Sequence, residues 1–305
     1  MLLVLAGCAT PGPGDIAPAD RHAGPIGRAE GRWAQQYHWV PVPAGSGTSR
    51  LILARTCRPP GSAARRLVVI NHGKSPVPAE IAALAPPSCE AEAVRWFLER
   101  DFAVILPLRR GYGASGGAMA ERYPAACVPS RDYALGALET ARDMRAAIGY
   151  ATSLPDIAPD RVVVVGQSAA GLGVVALSSL NDLRVAALIN MAGGDGGHVN
   201  QIPRAVCEKP ALVRAMTRFG ATAGVPMLWI YTANDSYFDP DLAASMHRAY
   251  VGAGGRARLA ALPAWGTDGH LLFTSRGGSV VWGPWVEAYL GLKASATTGS
   301  SLARH

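Results

Sequence analysis

Charge is scarce in this chain: Asp, Glu, Lys and Arg make up only 17% of its 305 residues, and aromatic residues only 7%. With hydrophobic residues at 49%, it is neither a disordered charged tail nor a small scaffold that needs stapling, and it can bury one large core. No apolar run reaches the roughly 18 residues expected of a membrane-spanning helix. The net charge of +7 comes from scattered Lys and Arg, and no arginine cluster is interleaved with aromatics, so a nucleic-acid partner is not expected. Cysteine is rare too, at 5 residues. None lies in a C-x-x-C pair or at zinc-site spacing, so no metal is expected. No segment recurs at a fixed period, which excludes a solenoid.

Glycine and proline are plentiful, with 35 and 23 residues, but show no triplet period and therefore belong to loops rather than to a collagen helix. The chain starts with an apolar stretch, Met1 to Gly7, that runs into Leu5-Ala6-Gly7-Cys8. Small residues before a cysteine resemble a bacterial lipoprotein box, although no basic segment precedes this one. Cys8 is the expected lipid attachment point, with a membrane lipid as partner and the bacterial cell envelope, anchored or periplasmic, as location. The remaining four cysteines, Cys57, Cys89, Cys127 and Cys207, suit two disulfides in an oxidising compartment, with three pairings open.

Residues 9–31 read as a flexible arm, 32–292 as one folded unit and 293–305 as a flexible tail. Within the unit, short β-branched runs alternate with Gly-bearing loops and helical segments, the pattern of an α/β fold with strands buried beneath helices on both faces. Strands are expected over 37–42, 50–56, 67–71, 103–106, 162–165, 186–190, 227–231 and 258–262, the first two as an antiparallel edge. Helices are expected over 89–100, 131–148, 169–180, 205–219, 239–251 and 280–289. In the second of these, Leu135, Leu138, Ala141, Met144, Ala147 and Ile148 form the face predicted to pack on the sheet.

The sharpest motif follows the valine run 162–165, where Gly166-Gln167-Ser168-Ala169-Ala170-Gly171 leads into an apolar helix. Strand, tight turn and helix form the context of a nucleophile elbow, which exposes a serine hydroxyl beside the backbone N–H groups of the helix start. The match to G-x-S-x-G is imperfect, because Ala170 stands at the fifth position and Gly171 follows it. A serine in such a turn can equally be a simple helix cap, so other residues must decide. A serine nucleophile needs a base and an acid that orients it, in the chain order serine, acid, histidine. Asp235 follows the apolar run 227–231, and His270 follows the run 258–262. Asp239 before Pro240 reads instead as an N-cap, and Asp268 as a turn former.

After the run 67–71 come His72, Gly73 and Lys74, and the backbone N–H groups of Lys74 and Ala169 are the expected oxyanion donors. His72 reads as a structural ring and the Lys74 ammonium as solvated. Gly73-Lys74-Ser75 is not a phosphate-binding loop, since Val68 occupies the position where its first glycine belongs. Gly111-Tyr112-Gly113-Ala114-Ser115-Gly116 fits G-x-G-x-x-G but lacks the crossover helix and second strand of a dinucleotide site. Tyr112 and Trp265 are candidates for the pocket wall, and Trp229 for the core.

On His72-Gly73, Arg110 to Gly116, Gly166 to Gly171, Tyr231 to Asp235 with Tyr237-Phe238, and Asp268-Gly269-His270, the chain resembles the serine-containing, dienelactone hydrolase-like branch of the α/β-hydrolase superfamily. It is also similar to prolyl oligopeptidase catalytic domains. The resemblance spans roughly Val40 to Leu290 and implies an α/β-hydrolase fold with a mostly parallel sheet of about eight strands. It further implies a Ser168, Asp235 and His270 triad, no cofactor, and a small-molecule ester or related acyl substrate. Dienelactone hydrolase itself carries cysteine where this chain has Ser168, so its substrate does not transfer. A peptidase or amidase, or a lipid-anchored binding protein without turnover, are the alternatives.

Overall fold

The structure, a computed structural model, describes residues 16–43, 49–61, 63–119, 121, 127–128 and 131–292. Cys8, the first part of the arm and the tail 293–305 lie outside the described residues. In chain order the elements are β1 (Gly24–Glu30), β2 (Gln35–Pro43), β3 (Ser49–Cys57), β4 (Arg66–Asn71), α1 (Pro78–Ala83), α2 (Glu92–Leu98), β5 (Phe102–Pro107) and α3 (Tyr133–Ala151). They continue with β6 (Val162–Gln167), α4 (Ala169–Ser178), β7 (Val185–Met191), α5 (Lys209–Gly220), β8 (Met227–Thr232), α6 (Pro240–Gly252), β9 (Ala257–Leu262) and α7 (Gly278–Leu290).

The described strands form one nine-stranded sheet, ordered β1-β2-β3-β5-β4-β6-β7-β8-β9. All eight predicted strands are present. The ninth, β1, lies within residues expected to form a flexible arm: Gly24, Pro25 and Ile26 pair antiparallel with Trp39, His38 and Tyr37. β2 and β3 form the predicted antiparallel pair, β3 joins β5 antiparallel, and the strands from β5 through β9 run parallel. This is the α/β-hydrolase fold. Because these strands run parallel, the carboxyl ends of β4, β6, β8 and β9 lie at one edge, and the strand order reverses between β4 and β6, the place where such sheets hold their sites.

The two-residue period of a strand explains the valine run of β6. Val162 and Val164 join an apolar cluster beneath α3, α4, α5 and α6, while Val163 and Val165 join a second one with α2 and α7. Trp229 of β8 is fully buried in the first cluster, as expected, and Trp282 of α7 in the second. Each such side chain contributes roughly 1.5–3 kcal/mol by leaving water.

Helix α3 packs on the sheet largely as expected: Ala141, Met144, Ala147 and Ile148 are buried and Leu138 packs against them. Leu135 departs, at 61% exposed, and the buried face is wider than predicted, taking in Ala134, Ala137, Thr140 and Asp143. Two polar residues can lie on this face because they have distant partners. Arg110 pairs with Asp143 (Nε to Oδ1, 2.6 Å), and Thr140 donates to Glu121 (Oγ1 to Oε1, 2.8 Å).

The cysteines resolve into Cys57–Cys89 and Cys127–Cys207. The first ties the end of β3 to the approach to α2, and the second ties the chain ahead of α3 to the segment between β7 and α5.

Candidate active site

β6 ends at Gln167 and α4 starts at Ala169, so Ser168 alone makes the turn, at φ 58° and ψ −123°. Its side chain makes no capping hydrogen bond, which removes the helix-cap reading. A non-glycine residue held there costs of order 1–3 kcal/mol, and the surroundings fix it from both sides. Ser168 N–H donates to the carbonyl of Met191 at 3.0 Å, and Gly194 N–H donates to the carbonyl of Ser168 at 3.1 Å.

The geometry also explains the imperfect motif. A Cβ at Gly166 would lie 2.3 Å from the carbonyl oxygen of Ala170, and one at Gly171 would lie 2.5 Å from Asn190 Oδ1 and 2.6 Å from Gly193 Cα. The close approaches therefore fall at positions 166 and 171. The Ala170 methyl packs into the apolar cluster beneath α3 and α4.

Asp235 lies three residues beyond β8 and is fully buried. Its Oδ1 accepts from the N–H groups of Tyr237 (2.7 Å) and Phe238 (2.9 Å). Both carboxylate oxygens stand 3.1 Å from His270 Nδ1. His270 is 4% exposed, and the Tyr237 ring stacks on it at 4.2 Å between centroids. Ser168, His270 and Tyr237 line one cleft.

Asp239 caps α6 as predicted, accepting from Leu242 N–H at 2.8 Å. Asp268 shapes its turn: it accepts from His270 N–H (3.0 Å), Ser236 N–H (3.1 Å) and Ser236 Oγ (2.7 Å). Burial opposes the Asp268 charge, but these hydrogen bonds and the nearby His270 hold its carboxyl below the usual aspartate range.

The positioning roles of Asn234 and Arg204 escaped the sequence reading. Asn234 binds the histidine loop through Trp265 N–H (2.9 Å) and the carbonyls of Trp265 and Gly266 (both 3.1 Å). Arg204 Nε donates to the Asp235 carbonyl at 3.0 Å. Asn234 stands beside the predicted acid, so its place in the chain was the one available signal. Arg204 lies on another loop and offered none.

On the β4 side, the Gly73 backbone runs against the serine: a Cβ there would lie 2.8 Å from Gln167 Oε1 and 3.1 Å from Ser168 Cβ. Lys74 and Ala169 both line the space beside Ser168. The Lys74 ammonium is not merely solvated, as expected from the sequence, but donates to the Glu121 carbonyl at 2.8 Å.

His72 is structural, as predicted. Its Nδ1 lies 2.7 Å from the Gly73 carbonyl and its Nε2 accepts from Arg109 N–H at 3.2 Å. Burial and the Arg109 charge lower its pKa from 6.5 to about 3, so the ring is neutral. Arg109 and Glu121 form a buried pair, Nε to Oε1 2.7 Å. Burial alone would raise the Glu121 carboxyl, but Arg109 and the Thr140 hydrogen bond bring it down to about 2. The Tyr112 hydroxyl donates to Glu121 at 3.0 Å, and the residue lines the cleft while remaining fully buried. Trp265, the other candidate for the pocket wall, packs against the cluster that includes Trp282.

No protein-family model and no curated protein sequence matches the chain. Solved structures do match in fold. One, described as a dienelactone hydrolase from Klebsiella pneumoniae, aligns over 85% of this chain and 100% of its own, with TM-score 0.55 and 14% identity. An esterase from Pyrococcus furiosus aligns over 88% of this chain and 96% of its own, with TM-score 0.56 and 14% identity. An acylaminoacyl peptidase reaches TM-score 0.60 at 12% identity over 86% of this chain and 42% of its own. Identities this low carry the architecture and not the chemistry. The chain is an α/β-hydrolase-fold protein whose serine, aspartate and histidine loops meet at the carboxyl edge of its sheet.

Proposed function

We propose that the protein is a serine hydrolase that cleaves carboxylic esters through an acyl-enzyme. The observation that carries this reading is the buried Asp235–His270 pair, with both oxygens 3.1 Å from Nδ1, in a cleft that Ser168 also lines. With Nδ1 engaged, Nε2 is the nitrogen that takes the Ser168 proton as Oγ attacks the carbonyl carbon. Asp235 fixes the tautomer and stabilises the imidazolium. The N–H groups of Lys74 and Ala169 hold the oxyanion. When the C–O bond breaks, His270 returns its proton to the departing alkoxide, and water then resolves the acyl-serine by the same relay. Esters are preferred over amides because an alkoxide leaves more readily than an amide nitrogen. The fold matches to esterases are consistent with this choice.

The test is release of p-nitrophenol from p-nitrophenyl butyrate, together with labelling by a serine-selective phosphonate. Ser168→Ala abolishes both and keeps the native circular dichroism; undiminished turnover in that variant overturns the assignment. Phosphonate labelling of Ser168 without turnover on any ester would favour the binding-protein alternative.

Location is part of the same proposal. Two disulfides fit an oxidising compartment, and with the box ending at Cys8 they support a cell-envelope protein held by lipid on Cys8. Mass spectrometry of the mature N-terminal peptide tests this: a diacylated Cys8 supports it, and an unmodified Cys8 in the purified membrane fraction overturns it.

A further inference from the structure

Ser168 stands in the wall between two cavities. One, of about 420 Å³, is the cleft shared with His270, and Ile81, Leu84, Pro87, Leu271 and Phe273 give it an apolar lining. The other, of about 680 Å³, lies on the far side of the serine and is lined by Lys74, Arg131, Asp195, His198 and Asn200. The Cys127–Cys207 disulfide closes part of its wall. Both volumes lie in the range that takes small-molecule ligands. Tyr237 borders both, stacking on His270 at 4.2 Å and on His198 at 3.8 Å between centroids.

The second cavity has a mixed polar character. Asp195 gives one oxygen to the Gly196 N–H at 2.6 Å. Its other oxygen is buried without a hydrogen-bond partner among the described residues, an unfavourable state for an acceptor that a donor from solvent or a ligand relieves. The cations of Lys74 and Arg131 border the same space and attract oxygen lone pairs. An alkyl group placed here would leave these polar groups desolvated, and an anion would face the Asp195 carboxylate. An alcohol with several hydroxyls donates to the carboxylate and accepts from the cations.

We propose that the substrate is an acyl ester of a polyhydroxylated alcohol, with the acyl chain in the apolar cleft, the alcohol in the polar cavity, and Asp195 accepting a hydrogen bond from one of its hydroxyls. This rests on the esterase reading and specifies the leaving group in it. Asp195 is a specificity-determining residue and takes no part in the bond changes at Ser168.

The experiment holds the acyl group constant and varies the alcohol. Butyrate release from ethyl butyrate, glyceryl monobutyrate and 6-O-butyrylglucose is followed by pH-stat titration on the full-length protein. The expected result is a kcat/KM at least ten-fold higher for one or both hydroxylated esters than for ethyl butyrate. The glyceryl and glucosyl arms distinguish a small polyol from a sugar. Asp195→Ala lowers the ratio of hydroxylated to ethyl ester kcat/KM at least ten-fold. Asp195→Asn, which keeps the shape but turns one acceptor into a donor, lowers it in the same direction with an unchanged melting temperature. Equal kcat/KM for all three esters, or a ratio unmoved by both variants, overturns the proposal while the esterase reading stands. If no ester is hydrolysed in a Ser168-dependent manner, the esterase reading fails and this inference fails with it.

Discussion

Asp235 and His270, carried by loops after different strands, meet with both carboxylate oxygens 3.1 Å from one imidazole nitrogen. Asp235 also takes two backbone N–H groups from its own loop, so its orientation is set before the histidine is considered. Asp235→Asn keeps the shape but removes the charge and permits the wrong tautomer. It lowers kcat on p-nitrophenyl butyrate by about 10³–10⁴-fold with unchanged circular dichroism, and a loss below ten-fold would mean that another acid serves His270.

The elbow makes a prediction that contrasts neighbouring positions. Gly171→Ala drives a methyl into Asn190 and the Gly193 backbone, costing about 1–3 kcal/mol as overpacking and disturbing Ser168. Ala170→Gly restores the usual motif but costs about 1 kcal/mol as glycine inside a helix. Urea unfolding ranks them, and a more damaging Ala170→Gly would show that the close approach is misplaced.

Acid weakens the fold in a defined window. His38, buried between the Tyr150 and Thr56 hydroxyls at 2.9 Å each, is lowered from 6.5 to about 4 by burial and the Arg58 charge. His72 is lowered to about 3. Below pH 6.5 the unfolded chain takes up protons that the folded one refuses, so stability falls as pH drops from 6.5 toward 4, by up to ~1.4 kcal/mol per unit for each ring. Glu121, at 4.5 when unfolded and about 2 when folded, adds a further loss between those values. Melts at pH 7.5, 6.0 and 5.0 measure the slope, and His38→Gln flattens it; a melting temperature constant over that range would contradict the linkage.

Glu121→Ala leaves Arg109 charged and unpaired where both side chains are almost wholly buried. Breaking a buried pair from one side costs about 3–5 kcal/mol. Equilibrium unfolding in urea checks this, and a cost under ~1 kcal/mol would mean that solvent reaches the arginine.

Cys57→Ser with Cys89→Ser opens a link spanning 32 positions. The expected loss is about 2–4 kcal/mol. Differential scanning calorimetry under oxidising conditions reads it, and a melting temperature equal to that of the parent would contradict a stabilising role.

Legibility followed the range of the interactions. β4 through β8 were visible because parallel strands buried on both faces read as continuous apolar runs, and β2, β3 and β9 as shorter apolar runs bounded by turn residues. The triad candidates were visible because the fold sets their chain order. β1 was not, because Gly24-Pro25-Ile26-Gly27 has no strand signature and is held at the edge by pairing with β2. The core of the α3 face was legible, but Thr140 and Asp143 were not placed on it, because they are satisfied by Glu121 and Arg110, partners that no local pattern reveals. The inward turn of Lys74 depends on Glu121 in the same way. The disulfide pairing needed the spatial proximity that spacing alone could not supply.

The hydrogen bonds between Asn234 and Trp265 and Gly266, with those from Ser236 to Asp268, make the acid and histidine loops a single cassette. Neither loop can drift without carrying the other, so the acid-to-imidazole distance is insulated from breathing elsewhere in the sheet. Recombination with a related scaffold would have to exchange residues 232–238 and 263–271 together, since a crossover between them would separate Asn234 from the loop it binds.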